Sequence, residues 1–160
     1  MTHLEARPGE VELDFDPATE TDASVMFIGR IRSPWKRGDC PANIRKARER
    51  TCEAWIELDS RLVQGLNGLK VGQQIVLIYW MHETRRDIIV QSPRHSEGIR
   101  GVFSLRSPLR PNPLAMSSVR ITSLDPDRGN VGIDAIDCFD GTPLVDIKPW
   151  VPTIDLLPDE

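Results

Sequence analysis

A proline-rich run, Arg106-Ser107-Pro108-Leu109-Arg110-Pro111-Asn112-Pro113, carries two arginines and an asparagine on a stiffened backbone. Proline donates no ladder hydrogen bond and holds the residue before it extended, so the run is a rigid loop. A rigid loop loses little entropy on binding, which suits a carboxylate, a phosphate or a base edge. The same residues also make a structural corner whose arginines satisfy backbone carbonyls, and both readings stay open. A second run is Asp134-Ala135-Ile136-Asp137-Cys138-Phe139-Asp140-Gly141-Thr142-Pro143, followed by Asp146-Ile147-Lys148-Pro149-Trp150. Read as a strand, it places Asp134, Ile136, Cys138 and Asp140 on one face and Ala135, Asp137 and Phe139 on the other. Asp137 then falls on a mostly apolar face, where a carboxylate needs a partner or a shifted pKa. Asp140-Gly141 reads as a turn, and Asp146 with Lys148 as a solvated ion pair.

Two further groups are less specific. Tyr79-Trp80-Met81-His82-Glu83 ends a long apolar run. Aromatic and thioether groups beside a histidine suit an adenine or a sulfonium, although core aromatics at a strand end are commoner. Arg30, Arg32, Lys36, Arg37, Arg45, Lys46, Arg48 and Arg50 form a basic stretch, with Trp35 and Trp55 in or near it and Arg85, Arg86, Arg94 and Arg100 later. Charge for phosphates plus a flat face for bases is what single-stranded RNA recognition requires; a charge-rich face is more often simply solvated. His3 and His95 have no metal-ligand partner at useful spacing, so no metal is expected.

The elements that must position these groups are strands. Residues 25–32 and 54–58 alternate, residues 74–81 form a strand-length run that is continuously apolar from Ile75, and runs at 88–90, 102–105, 115–124, 131–139 and 144–147 follow, bounded by Gly, Pro or Asp. Helical signals are few: a short turn capped by Ser60, and a basic turn or loop over 44–49. Six to eight strands with so little helix predict a small antiparallel barrel or sandwich, closure being one way to remove exposed edges. There is no glycine-rich dinucleotide turn, no P-loop, no His-Glu-x-x-His and no Gly-x-Ser-x-Gly.

With 160 residues, 39% of them hydrophobic and 28% charged, the chain suits one packed domain and is too apolar to be disordered throughout. Its longest apolar run, residues 75–81, is seven residues, against roughly 20 for a spanning helix. No membrane segment or secretory leader is therefore expected. Three cysteines, far apart and without a Cys-x-x-Cys pair, point to a reducing, cytoplasmic setting. The net charge of −4 is uneven: residues 1–22 carry −6, the last acids −3, and residues 23–152 carry +5. Residues 1–22 are read as a mobile acidic tail, in which Val11 and Leu13 can still add a strand to a sheet edge. Residues 23–155 are read as the folded domain and 156–160 as a short tail.

Three blocks together resemble a known family. They are Ile28-Gly29-Arg30-Ile31-Arg32-Ser33-Pro34, then residues 101–113 with the proline loop, then residues 137–152 with Asp-Gly-Thr-Pro and Asp-Ile-Lys-Pro. In this order they are similar to the signature blocks of the TsaA-like (YaeB, TrmO) family. The resemblance covers roughly residues 24–155. It implies a single-sheet antiparallel β-barrel with few short helical turns, S-adenosylmethionine as cofactor, a homodimer, and methylation of N6 of threonylcarbamoyladenosine beside the tRNA anticodon. Carried over, the cofactor contacts fall on Pro41, Ala42, Asn43, His82, Glu83, Arg106, Met116, Asp134, Ala135, Ile136 and Asp137. Arg110, Asn112 and Lys148 become substrate candidates, and Asp140, Asp146 and His82 candidates for a general base. The sequence departs from the family at Asp39-Cys40-Pro41-Ala42-Asn43, at Pro113-Leu114-Ala115 and at Trp150. The competing classes are a non-catalytic RNA-binding or regulatory barrel and a methyltransferase acting on a small molecule or protein.

Overall fold

Six strands close into one antiparallel barrel in a computed structural model that describes residues 5–50, 52–93 and 97–158. Numbered in chain order, the strands are β1 (Val11–Glu12), β2 (Gly29–Arg32), β3 (Ala54–Leu58), β4 (Gln74–Trp80), β5 (Ile88–Gln91), β6 (Arg100–Gly101), β7 (Leu114–Asp125), β8 (Asn130–Ile133) and β9 (Thr142–Pro149). The barrel runs β2-β3-β8-β7-β4-β9 and back to β2. Among the described residues helix is limited to α1 (Ile44–Glu49), α2 (Pro152–Asp155) and 3-10 turns at Ser60–Leu66 and Val102–Ser104. The strand spacing left barrel or sandwich open, the family resemblance implied the barrel, and the barrel is what forms; closure leaves its hydrophobic strands no free edge.

Residues 25–80 and 116–160 form one compact unit. Its interior is filled by the inward side chains of successive strands: Ile31, Ile56, Ile75, Leu77, Val119, Ile121, Val131 and Leu144, each 0–1% exposed. Burying such a side chain contributes about 1.5–3 kcal/mol. In β4 the alternation is complete: Ile75, Leu77 and Tyr79 are buried, and Gln74, Val76, Ile78 and Trp80 are half-buried. Gly29 leaves no room for a side chain where β2 passes β3, since a Cβ there would lie 2.3 Å from the Glu57 carbonyl oxygen. Ile78 pairs with Asp146 but Tyr79 pairs with Leu144, so Val145 is the extra residue of a bulge in β9.

Several expectations are corrected. Residues 25–28 precede β2, which begins at Gly29. Residues 102–104 form a 3-10 turn where a strand was expected. The Ser60 turn is capped by Asp59, whose carboxylate accepts from the Arg61 amide. Most consequential, the strand expected over 131–139 stops at Ile133. Beyond it Ala135, Ile136 and Cys138 are all buried, so the two-face assignment of residues 134–140 does not hold. The last strand, in turn, is longer than the 144–147 expected.

Residues 1–24 and 81–115 make up a second compact unit. It holds a separate three-stranded sheet, β1-β5-β6. Val11 pairs with Val90, so the Val11–Leu13 segment does add a strand to a sheet edge. The Leu13 amide donates to the Asp87 carbonyl at 2.7 Å. Arg85 holds both Asp87 and Glu12, tying the acidic segment to β5. Among the described residues no helix is long and apolar enough to cross a membrane.

Candidate functional site

The segment after β8 leaves its ladder, and its backbone needs other partners. The loop after β2 supplies them. The Trp35 indole Nε1 donates to the Ile136 carbonyl at 2.7 Å, and the Ser33 hydroxyl donates to the Cys138 carbonyl at 2.8 Å. The Asp140 amide donates back to the Trp35 carbonyl, and the Gly141 amide to that of Ile31. Gly141, at φ +79°, makes the turn into β9, a conformation other residues rarely adopt. This stitching releases Asp137 from the sheet and aims it at the barrel end.

Two inward side chains bring hydroxyls to Asp137 there. Ser117 precedes Val119 and Ile121 on the core face of β7, and Tyr79 follows Leu77 on the core face of β4. The Tyr79 hydroxyl donates to Asp137 Oδ1 at 3.3 Å and lies 3.0 Å from Ser117 Oγ. Either hydroxyl of the Tyr79–Ser117 pair can donate to the other, and Ser117 also helps to lower the Asp137 carboxyl. Burial pushes the Asp137 carboxyl above its ordinary range; hydrogen bonds from its own amide and from Tyr79, and the charge of Arg48, pull it only partly back. Burial also raises the Tyr79 hydroxyl, and the Asp137 charge adds to that. The Cys40 thiol is pushed up to about 11, first by burial and then by the charges of Asp137 and Asp39. The described surroundings of Asp137 are therefore hydroxyls and inert thiols, with Arg48 as the opposing charge. Such a carboxyl favours a cation. The sequence singled out Asp137 but not Tyr79 and Ser117 as its partners; a hydroxyl on the core face of each strand was the available signal.

The other candidates in the barrel unit have visible duties. Pro41 is buried and Ala42 exposed. The Asn43 side chain caps α1 by accepting from the Lys46 amide at 3.0 Å. Asp134 takes Arg48 Nε at 3.0 Å on one oxygen and the Arg120 amide at 2.8 Å on the other, linking α1 to β7. Met116 is 52% exposed. Asp140 accepts from the Ser33 amide and pairs with Arg32 at 3.1 Å. Asp146 pairs with Lys148 at 2.8 Å, as the solvated-pair reading expected. The basic stretch is partly spent on the fold: Arg50 stacks on Trp35 and Arg37 on Phe139.

In the second unit the proline loop is held from within. Arg110 donates to the Val102 and Leu105 carbonyls, each at 3.0 Å. Arg86 donates to the Pro111 carbonyl and to Asn112 Oδ1, and Gln91 to the Leu109 carbonyl. These donors replace ladder partners that a proline-rich backbone cannot recruit. Arg106 is exposed and forms no ion pair among the described residues. His82 and Glu83 are exposed and 3.7 Å apart. His3, Arg94 and His95 lie outside the described residues. Among the described residues no three His, Cys, Asp or Glu side chains are placed to hold a metal.

Residues 30–156 match the family model described as the tRNA-methyltransferase O N-terminal domain. The chain belongs to this family. A probable S-adenosyl-L-methionine-binding protein, VirR, of Rhizobium radiobacter is 41% identical, covering 81% of this chain and 72% of its own. A probable S-adenosyl-L-methionine-binding protein of Methanothermobacter thermautotrophicus is 36% identical, covering 87% and 98%. The crystal structure of TrmO from Pseudomonas aeruginosa superposes with a TM-score of 0.66 at 30% identity, covering 86% of this chain. The chain spans only 59% of that TrmO chain. The family match begins at Arg30 and takes in the barrel strands, the proline loop and the segment around Asp137.

Proposed function

We propose that the protein is an S-adenosylmethionine-dependent methyltransferase acting on N6 of threonylcarbamoyladenosine in the tRNA anticodon loop. The observation that carries this reading is the tRNA-methyltransferase O N-terminal-domain match over residues 30–156. The donor set at Asp137 fits the cofactor: a partly desolvated carboxyl suits its positive charge, and hydroxyls of Tyr79 and Ser117 keep that carboxyl in place. When bound, the cofactor supplies an electrophilic methyl group on a sulfonium.

The chain's own part is to align and to bind the transition state. In the barrel unit the proposed cofactor contacts are Pro41, Ala42, Asn43, Met116 and residues 134–137. In the second unit they are His82, Glu83 and Arg106. Arg110, Asn112 and Lys148 are proposed to face the substrate. The bound cofactor would supply the methyl group to N6, and the chain's residues would have to take up the N6 proton that the transfer releases. That N–H sits between a carbonyl and an adenine ring, so it is more acidic than a plain exocyclic amine. Asp140, Asp146 and His82 are the candidate acceptors for its proton. A homodimer in the cytoplasm is part of the same proposal.

Two measurements test the reading. Calorimetric titration should give micromolar binding of S-adenosylmethionine and little response to ATP. Incubation with tRNA carrying threonylcarbamoyladenosine should then yield the N-methylated nucleoside by mass spectrometry of the digest. Cofactor binding without any nucleoside change would point to another acceptor. RNA binding without cofactor binding would point to the non-catalytic barrel.

A further inference from the structure

The cofactor and its spent form differ in charge at one atom. S-adenosylmethionine carries a sulfonium, and S-adenosylhomocysteine a neutral thioether; their ammonium, carboxylate, ribose and adenine groups are the same. Negative charge placed near the sulfur lets a site tell them apart.

Asp137 has the attributes for that task. It is the half-buried carboxyl at the polar end of the barrel interior. Its Oδ1 accepts from Tyr79, which is anchored in the β4 core and braced by Ser117 of β7. The charged and titratable groups that act with it are few. Arg48, from α1, is the opposing charge, and its guanidinium is already committed to Asp134 and to the Ser118 carbonyl. Cys40 and Cys138 are thiols raised by burial to about 11 and about 12. Asp39 acts on Cys40, and Asp140 on Cys138. The carboxylate thus has hydrogen bonds that fix its position but, among the described residues, no dedicated counter-cation. A ligand that brings a fixed positive charge completes the arrangement, and a neutral one does not.

We propose that Asp137 is the residue that discriminates the sulfonium cofactor from its thioether product, with Tyr79 and Ser117 as positioning residues that hold its carboxylate. This rests on the cofactor reading above. It assigns the site a preference for the reactive form and a bias toward product release.

The test is the ratio of the two affinities, measured by calorimetry on the full chain. The wild-type protein should bind S-adenosylmethionine about tenfold more tightly than S-adenosylhomocysteine, the scale expected for one partly screened charge pair. Asp137→Asn should pull that ratio toward one, chiefly by weakening the sulfonium form. Tyr79→Phe should reduce the ratio part-way, because the carboxylate stays but loses its fixed donor. A merely structural role would weaken both ligands alike. Parallel losses in both variants, or an unchanged ratio, would overturn the proposal. Should Asp137→Asn fail to fold, Tyr79→Phe decides the matter by the same ratio. A wild-type protein that binds neither ligand would overturn the cofactor reading itself, and this inference with it.

Discussion

In β4, every second side chain enters the barrel, and the backbone between them is paired to β9 and lies beside β7. In residues 134–139, by contrast, Ala135, Ile136 and Cys138 are all buried, while Asp137 stays half-exposed and its backbone neighbours bond to Trp35 and Ser33 side chains. Both runs are apolar at their inner positions. The difference is what satisfies the peptide groups. Where a ladder runs along the chain, period two dictates the faces. Where side chains from another loop take the carbonyls, the backbone turns freely and a polar residue can be delivered to a chosen place. The regular region makes the container, and the irregular one brings the carboxyl to it.

The largest expected effect breaks this contrast at its core. Leu77→Ala and Ile136→Ala both remove fully buried side chains, and such changes cost about 2–5 kcal/mol. Leu77→Ala should fall toward the upper end, because the ladder prevents its walls from collapsing. Ile136→Ala should fall toward the lower end, since an irregular segment can relax. Urea unfolding midpoints measure both; a larger loss at Ile136 would mean that its segment is as rigid as β4.

Trp35→Phe sharpens the same comparison. It keeps a ring but leaves the buried Ile136 carbonyl without its donor, at about 1–3 kcal/mol. Hydrogen exchange should accelerate in residues 134–141 and stay slow in β4. Asn43→Ala comes next. It deletes the cap of a six-residue helix and should cost about 1 kcal/mol. A far-ultraviolet spectrum would change little, and thermal melting would report the loss.

The smallest effect concerns Asp137 and pH. Its carboxyl is raised above its ordinary value in the folded protein, so the native state holds that proton more tightly than the unfolded chain does. The resulting stabilisation is complete below the unfolded value and is lost as pH rises through the folded one. Asp137→Asn mimics the protonated form and can still accept from Tyr79. It should therefore melt at or slightly above the wild-type temperature at neutral pH, with the gap closing in acid. A clear destabilisation at neutral pH would show that the ionised carboxylate supports the fold.

Much of the barrel was legible beforehand. The 74–80 run, the 54–58 alternation and the 115–124 run became β4, β3 and β7 because their periods report sides of a closed sheet. The 3-10 turn at Val102–Ser104 was not legible, since a short apolar run has no period of its own to separate strand from turn. The proline loop was legible as stiff, but its arginines were not assignable. Only the structure shows that Arg110 serves the Val102 and Leu105 carbonyls and that Arg106 stays exposed.

By itself the sequence determined the all-β class, the family through its three blocks, and Asp137 as a carboxyl worth attention. Those follow from residue type and local spacing, which the chain carries wherever it folds. The tertiary structure decided which groups meet Asp137. Tyr79 and Ser117 stand 58 and 38 residues from their partners in the hydrogen bonds they make at the barrel end. Such meetings depend on barrel closure, the bulge in β9 and the loop that draws residues 134–139 out of the ladder, and no local pattern encodes them.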